Sequence, residues 1–370
     1  MREYIMGLDI GGTKCAVILG SARAGGEDYR ILDRMCFQTD APRGPGPVIK
    51  QMISVIRSML EEHSLMPQQI SALGISCGGP LDHITGVIQN PPNLYGWDNI
   101  PIVKIMEEEF GIRTYIQNDA NACALAEWKF GAARGYRDVI FLTCGTGMGA
   151  GLILDGRLYN GANNMAGEVG HVRLSKNGPV GFGKAGSFEG FCSGGGIAQL
   201  AKTKVLERLQ AGERPAICQD LAGLDQLTAK SVADAARNGD PLAKEIYEIS
   251  GYYLGKGLAM LIDILNPEII VMGSVYERSQ ELLWPVVSRI VEQEALEISR
   301  KGCRIVPAKL GNQIGDYAAL SVAIQGGSNE RRKKNLSGIY SGLPADEETT
   351  GTGGAGSSLD KLPQRRQDSG

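Results

Sequence analysis

Two short stretches rich in glycine and threonine carry the clearest chemistry in this chain. The first is Leu8-Asp9-Ile10-Gly11-Gly12-Thr13-Lys14 and the second is Thr143-Cys144-Gly145-Thr146-Gly147-Met148-Gly149; each joins two apolar runs that read as strands. Residues without Cβ crowding let backbone N–H groups turn toward phosphate oxygens, so each turn reads as a phosphate cradle. Asp9 ends the first strand, where its carboxylate would stand beside those oxygens and could hold Mg²⁺ through water. Neither turn is a Gly-x-x-x-x-Gly-Lys-Ser/Thr loop, and each leads into a strand rather than a helix, which excludes both the Walker loop and the dinucleotide fingerprint. Laid with Gly11 on Gly145, Val17, Ile18 and Leu19 fall on Gly151, Leu152 and Ile153. That match is the mark of an internal duplication, with one phosphate turn per half.

A chain of 370 residues has room for two domains, and 43% hydrophobic residues supply an ample core. The net charge of −3 argues against nucleic acid or an anionic membrane as the main partner, because such binding draws on clustered Lys and Arg. Eight cysteines are scattered without a Cys-x-x-Cys pair. They read as reduced thiols, and with no secretory signal and no apolar run near the eighteen or so residues of a membrane span, a cytoplasmic protein is expected.

The elements that must position these turns follow from periodicity. After the first strand pair, a third strand is expected near 31–37, then an amphipathic helix over 48–63, because Val48, Met52, Val55, Ile56, Met59 and Leu60 recur at helical spacing. A buried strand at 70–76 ends in Cys77-Gly78-Gly79-Pro80, a helix covers 103–110, and a strand at 113–117 meets the helix 120–130 at Asn118-Asp119. Either side chain of that pair can cap the helix. The second half restarts with a strand at 138–143, its Gly turn and a return strand, followed by an irregular Gly-rich stretch over 161–196 too long for a mere connector. Helices are expected at 195–210, 229–237, 241–265 and 280–295, strands at 268–272 and near 305, and a last helix from 316 to about 324. From 326 onward the composition predicts a disordered tail, including the basic run Arg331-Arg332-Lys333-Lys334.

In Leu8–Lys14, in Gln117-Asn118-Asp119-Ala120-Asn121-Ala122 and in Gly167-Glu168-Val169-Gly170-His171, the chain resembles the ROK (repressor, open reading frame, kinase) sugar kinases. These belong to the duplicated sugar kinase, heat-shock protein 70 and actin superfamily, and the match spans nearly all of residues 4–325. The resemblance implies an α/β, duplicated actin-like ATPase (ribonuclease H-like) fold, two domains around a cleft. It makes Asp119 the catalytic base that takes a proton from a sugar hydroxyl, with Mg²⁺ and backbone N–H donors neutralising charge on the transferred phosphoryl group of ATP. It makes Glu168, His171 and Glu189 sugar-hydroxyl ligands and gives Gly79 and Asn118 sugar contacts. ATP would lie on Asp9, Gly11, Gly12, Thr13 and Lys14 and on Thr143, Gly145, Thr146, Gly147 and Gly149, with Gly273 in an adenosine-side element over 266–274. On residue type alone, Asp119 could instead only cap its helix, and His171 and Glu189 could be structural or solvated.

The chain departs from the family at one loop. Most members carry three cysteines that bind zinc with the histidine matched by His171; at those positions stand Val180, Phe182 and Ser187, while Gly183 and Gly186 are kept. His171 alone cannot hold a structural zinc, so no zinc is expected. Packing of Val180, Phe182 and Phe188 is expected to order the loop instead.

These readings converge on an ATP-dependent hexose kinase, with glucose as first acceptor and N-acetylglucosamine, N-acetylmannosamine, mannose and fructose as alternatives. The expected division is an N-terminal domain over 1–117, joined by the helix at about 312–325, and a C-terminal domain over 118–311. The resemblance also implies a homodimer. A sugar-responsive sensor without catalysis is the competing class. The family's repressors carry a helix-turn-helix domain before the first turn, and eight residues precede Asp9 here, so DNA binding is not expected.

Overall fold

The computed structural model describes residues 2–23 and 29–340. Its first half opens with an antiparallel meander of β1 (Arg2–Ile10), β2 (Lys14–Arg23) and β3 (Arg30–Gln38), followed by α1 (Pro45–Glu62) and β4 (Ile70–Cys77). A small hairpin of β5 (Leu81–Asp82) and β6 (Val87–Ile88) precedes α2 (Ile102–Phe110), β7 (Thr114–Asn118) and α3 (Asp119–Lys129). The second half has β8 (Val139–Cys144), β9 (Met148–Leu154), β10 (Arg157–Leu158) and the two-residue strands β11 (Val180–Gly181) and β12 (Lys184–Ala185). Then come α4 (Phe188–Cys192), α5 (Gly194–Gln210), α6 (Ala229–Arg237), α7 (Pro241–Leu265), β13 (Ile269–Met272), α8 (Val275–Arg278), α9 (Gln280–Glu294), α10 (Glu297–Gly302), β14 (Arg304–Pro307) and α11 (Ile314–Tyr340).

The strands form two five-stranded sheets, ordered β3-β2-β1-β4-β7 and β10-β9-β8-β13-β14. In each, the first hairpin of the half is antiparallel and the next two strands add in parallel. The same order and the same directions in both halves establish the duplication, and the architecture is a mixed α/β, actin-like fold. The two turns differ by one residue, however. Ile10 lies opposite Cys15, leaving 11–14 between them, whereas Cys144 lies opposite Met148, leaving 145–147. Asp9 and Thr143 are therefore equivalent, but Val17 matches Ala150 rather than Gly151. An offset read from the turn glycines misses this, because a hairpin loop can gain a residue without disturbing the apolar alternation around it.

Alternation decides what each sheet buries. Met6, Leu8 and Ile10 on one face of β1 join Val48, Met52, Ile56 and Met59 of α1 in one core, while Ile5 on the other face joins Ala319, Leu320 and Ala323 of α11. In the second sheet Ile140, Leu142 and Cys144 face α5 and α7; Val139 and Phe141 face Ala122, Leu125 and Ala126 of α3 and Ala318 and Val322 of α11. So α11 presents one face to each sheet, and α3, though it follows the last strand of the first sheet, packs on the second. Both seats require glycine. A Cβ on Gly74 of β4 would lie 2.2 Å from the Ala319 carbonyl oxygen, and one on Gly151 of β9 would lie 2.5 Å from Ala124 Cβ and 2.6 Å from the Ala120 oxygen.

The last helix continues to Tyr340 instead of ending near 324, so the expected tail from 326 is helical for its first part, and 341–370 lie outside the described residues. Gly326 is still docked, since a Cβ there would lie 2.2 Å from the Tyr115 ring, and a helix already nucleated extends at little cost.

Glu127 is fully buried at the end of α3, and its carboxylate accepts from the N–H groups of Ala132 (2.6 Å), Lys309 (2.9 Å) and Leu310 (2.9 Å). It therefore welds α3 to the segment leading into α11. Removing it takes the acceptor from three N–H groups at a part-buried joint, at about 1 kcal/mol each. Glu127→Ala is expected to cost about 3 kcal/mol or more, read as a fall in the denaturant midpoint, with Glu127→Gln intermediate.

Candidate active site

The C-terminal edges of the parallel strands gather the residues singled out above. Ile10, Cys77 and Asn118 lie side by side in β1, β4 and β7, so Asp9, the Gly79 turn and Asn118-Asp119 share one sheet edge. In open α/β sheets ligands collect at such edges. Gly79 joins Pro80 through a cis peptide bond, and nothing stands within 4 Å of where its side chain would be. In the second sheet Thr143 and Gly273 occupy the corresponding edge, with Thr143 Oγ1 3.3 Å from Ser274 Oγ. Ser274 holds φ 59° and ψ −114°, a strained conformation for a residue with a Cβ.

Each Gly turn is fixed through its carbonyl groups. Thr39, just after β3, donates its hydroxyl to the Gly11 oxygen (2.5 Å) and its N–H to the Thr13 oxygen (2.9 Å). At the second turn, the N–H groups of Gly194 and Gly195 at the start of α5 donate to the oxygens of Gly145 (2.7 Å) and Thr146 (3.3 Å). Side chains at 194 or 195 would come within 2.9 and 2.8 Å of those oxygens, which accounts for the Gly194-Gly195-Gly196 run. With these carbonyls held against protein, the N–H side of each turn is the side that can meet an anion, apart from the Gly11 N–H, which donates to the Lys14 oxygen at 3.1 Å. Thr13, Lys14 and Thr146 are exposed there.

Asp9 stands against the start of α11, its Oδ2 2.7 Å from where a side chain on Gly315 would begin. Burial raises its pKa to about 6, the nearby charges of Asp316 and Asp119 push the same way, and Lys14 and Arg34 oppose them. Asp316 itself is held by Arg34, whose Nε donates to Oδ1 at 2.7 Å. The donor set suits Mg²⁺, which keeps most of its water and is held by one or two carboxylates plus substrate phosphates. Among the described residues no three His, Cys, Asp or Glu side chains are grouped as a metal site.

At the strand-to-helix junction the two candidates divide the work. Asn118 Oδ1 accepts from the Asn121 N–H at 2.8 Å and caps α3; Asp119, one residue on, accepts from the Ala120 N–H at 2.8 Å. Capping thus belongs to Asn118. The Asp119 side chain meets solvent on its open side but is enclosed on the others, and that desolvation raises its pKa. Its charge is felt by Asp9 and by Glu168 on the second half of the chain, and Glu168 also feels Glu189 and His171. The fold therefore brings these five groups into one electrostatic neighbourhood, with the Glu168 carboxyl pushed up chiefly by burial.

Glu168 precedes and His171 ends a 3₁₀ turn over Val169–His171, and the segment docks on β9 through the Ala150 N–H, donated to the Gly167 oxygen at 2.9 Å. Glu189 is half-buried rather than solvated, and its Oε2 accepts from the Met148 N–H at 2.9 Å, tying it to the second Gly turn.

The loop between them is not ordered by the apolar packing expected of Val180, Phe182 and Phe188. Phe188 is 2% exposed and packs in the core against Gly257, but Val180 is 46% exposed and Phe182 81%. The loop is held by polar contacts instead. Gln199 of α5 clamps both backbone groups of Val180, accepting from its N–H (3.1 Å) and donating to its oxygen (2.9 Å). Lys184 Nζ donates to the His171 carbonyl oxygen at 2.8 Å, and Ser187 caps α4 by accepting from the Gly190 N–H at 3.1 Å. Thr39, Gln199, Lys184 and the Gly194-Gly195 pair were not singled out from sequence; Ser193-Gly194, a helix N-cap signal, was the one clue available.

A duplicated sheet with one Gly turn per copy, with a carboxylate at the end of β1 and another at the start of α3, defines the actin-like phosphotransferase class. The chain belongs to the ROK family, whose pattern matches residues 5–325. It is 31% identical over 315 residues to a glucokinase of Halalkalibacterium halodurans, covering 85% of this chain and 92% of that protein. It is 28% identical over 268 residues to the DNA-binding transcriptional repressor Mlc of Escherichia coli, covering 72% of this chain and 64% of the repressor. Among solved structures, the ROK hexokinase from Thermus thermophilus superimposes with a TM-score of 0.70 at 27% identity, covering 90% of this chain and all of that one. The ROK glucokinase from Streptomyces griseus in complex with glucose and AMPPNP gives 0.67 at 28%, covering 87% and 99%.

Gln199→Ala removes both bonds to Val180. Limited proteolysis is expected to cut the variant within 178–187 at least several-fold faster than the wild type, while the unfolding temperature falls by only a few degrees.

Proposed function

We propose that the protein is a glucokinase-like ATP-dependent hexose kinase, with glucose the first acceptor to test and N-acetylhexosamines, mannose and fructose behind it. The observation that carries this reading is the state of Asp119, relieved of capping by Asn118 and set between the Gly-turn carboxylate Asp9 and the loop carboxylate Glu168. Glucokinase relatives at about this level of identity, and a glucokinase neighbour solved with glucose and an ATP analogue, support the choice of chemistry.

In this reading the acceptor lies on Gly79, Asn118, Glu168, His171 and Glu189, and Asp119 accepts the proton of the attacking hydroxyl. As that oxygen bonds to the γ-phosphorus, the bond from the γ-phosphorus to the bridging oxygen breaks and ADP departs. Gly11, Gly12, Thr13 and Lys14 hold one side of the triphosphate; Thr143, Gly145, Thr146, Gly147 and Gly149 hold the other, with Gly273 on the adenosine side. Mg²⁺, near Asp9, would offset phosphate charge. Positioning is the larger part of the catalysis, and closure of two domains, divided near 117–118, would exclude water as a competing acceptor. The reading holds no zinc in the loop over 178–187, and the polar contacts of Gln199, Lys184 and Ser187 support it. No helix among the described residues is long and apolar enough to cross a membrane, which fits a cytoplasmic enzyme; a homodimer follows from the family.

A coupled ADP-release assay with Mg·ATP across glucose, mannose, fructose, N-acetylglucosamine and N-acetylmannosamine tests the reading. Turnover on at least one sugar is expected, reduced at least 10³-fold in Asp119→Ala, which should still bind sugar by calorimetry. Full turnover in Asp119→Ala overturns the assignment. Sugar binding without turnover on any acceptor would support a sensor, a class represented among the relatives by Mlc.

The raised carboxyls give a sign to the pH dependence. Asp9, with its pKa near 6, and Asp119, also raised, must both be ionised, so kcat/KM is expected to fall as pH drops through 6, by about tenfold per unit or more. Metal analysis is expected to find less than about 0.1 zinc per chain, with the unfolding temperature unmoved by a chelator.

A further inference from the structure

The three positions where the family's cysteines would stand have been given unequal duties. Ser187 is buried and caps α4, and Val180 is fastened through its backbone to Gln199. Phe182 has neither duty. It sits at the tip between β11 and β12 with 81% of its surface exposed, and its φ of 42° is left-handed, a conformation that costs a residue with a Cβ free energy. A solvent-exposed phenyl ring on a strained backbone contributes nothing to folding that a glycine or asparagine would not supply better. Its position relative to the site is specific, however. The ring stands edge-on to the His171 imidazole, with centroids 6.2 Å apart and planes at 73°, and Lys184, two residues on, fastens the same hairpin to the His171 carbonyl oxygen. The tip is thus locked to the residue that, under the proposed function, grips an acceptor hydroxyl.

We propose that Phe182 is an acceptor-contacting residue whose ring covers the apolar face of the sugar held by His171. A pyranose such as glucose presents a patch of axial C–H groups beside its equatorial hydroxyls, and an aromatic ring next to a hydroxyl ligand recognises that combination. A furanose ring lacks this patch, so Phe182 selects pyranose acceptors over fructose in its furanose form. The assignment rests on the hexose kinase reading and adds to it the ring form of the substrate.

The test compares wild type, Phe182→Ala and Phe182→Trp in the same ADP-release assay, with calorimetric sugar binding in parallel. At an exposed tip both variants are expected to fold, with unfolding temperatures within about 2 °C of wild type. Phe182→Ala should raise the KM and the calorimetric Kd for glucose about five-fold while the KM for ATP stays within two-fold, and the preference for glucose over fructose should fall by a similar factor. Phe182→Trp should restore both. Wild-type protein that binds sugar, with a Phe182→Ala variant that binds it equally well, overturns the Phe182 assignment alone, as does a variant whose only change is in oligomeric state. Wild-type protein that neither binds nor phosphorylates any sugar overturns the kinase reading and this assignment together.

Discussion

The close approach of two helices to two sheets is the constraint on which the rest depends. Helix α11 can lie on β4 only because Gly74 has no side chain, and α3 can lie on β9 only because Gly151 has none. Those two seats fix where each helix begins. The start of α11 comes to rest against Asp9, and the start of α3 puts Asn118 and Asp119 at the edge shared with β1 and β4. Helix α3 follows the first sheet and packs on the second, and α11, from the second half, presents one face to each sheet, so the halves meet through close helix-to-sheet contacts rather than through long side chains. Glu127 closes this arrangement by joining the far end of α3 to the segment that leads into α11.

The electrostatics follow from the same geometry. Three strand or helix ends and one loop bring Asp9, Asp119, Glu168 and Glu189 together, with Lys14 and Arg34 opposing the charge at Asp9 and His171 standing beside Glu168. The raised pKa values of Asp9, Asp119 and Glu168 express a cost that the fold carries without a ligand. Under the proposed function that cost would be relieved by a divalent cation beside Asp9 and by hydroxyl donors beside Glu168. Binding would then gain from a strain already present in the free protein, which is how a site assembled from like charges can favour its ligands without being the most stable arrangement of its own residues.

How much of this was legible in the sequence varied with the length of the signal. Helices over 229–237 and 241–265 and strands such as β4 and β13 carry several turns or alternations of apolar residues, and the chain forms them within a residue or two of where the pattern places them. Strands β11 and β12 are two residues long, too short for any period, so the segment over 161–196 reads as irregular although it contains a hairpin and a helix. The extra residue in the first Gly turn is invisible for a different reason: both turns are rich in Gly and Thr, and only the pairing of Ile10 with Cys15 and of Cys144 with Met148 reveals it. Asp119 and Asn118 were equal candidates for capping on residue type, and a single hydrogen bond, Asn121 N–H to Asn118 Oδ1, separates them.

The loop over 178–187 shows how polar contacts to the backbone can order a segment with almost no regular structure of its own. A zinc centre orders a loop by drawing distant side chains to one point, and it does so at the cost of keeping those side chains for the metal. Here the same path is ordered from the backbone outward, by Gln199 on Val180, by Lys184 on His171, and by the bond from Gly186 N–H to the Pro179 oxygen. Backbone anchoring leaves the side chains of the loop free to take different duties: Ser187 turns inward and becomes a helix cap, whereas Phe182 turns outward beside His171. A loop tied down through its backbone can therefore keep a side chain at its tip that its own folding does not use.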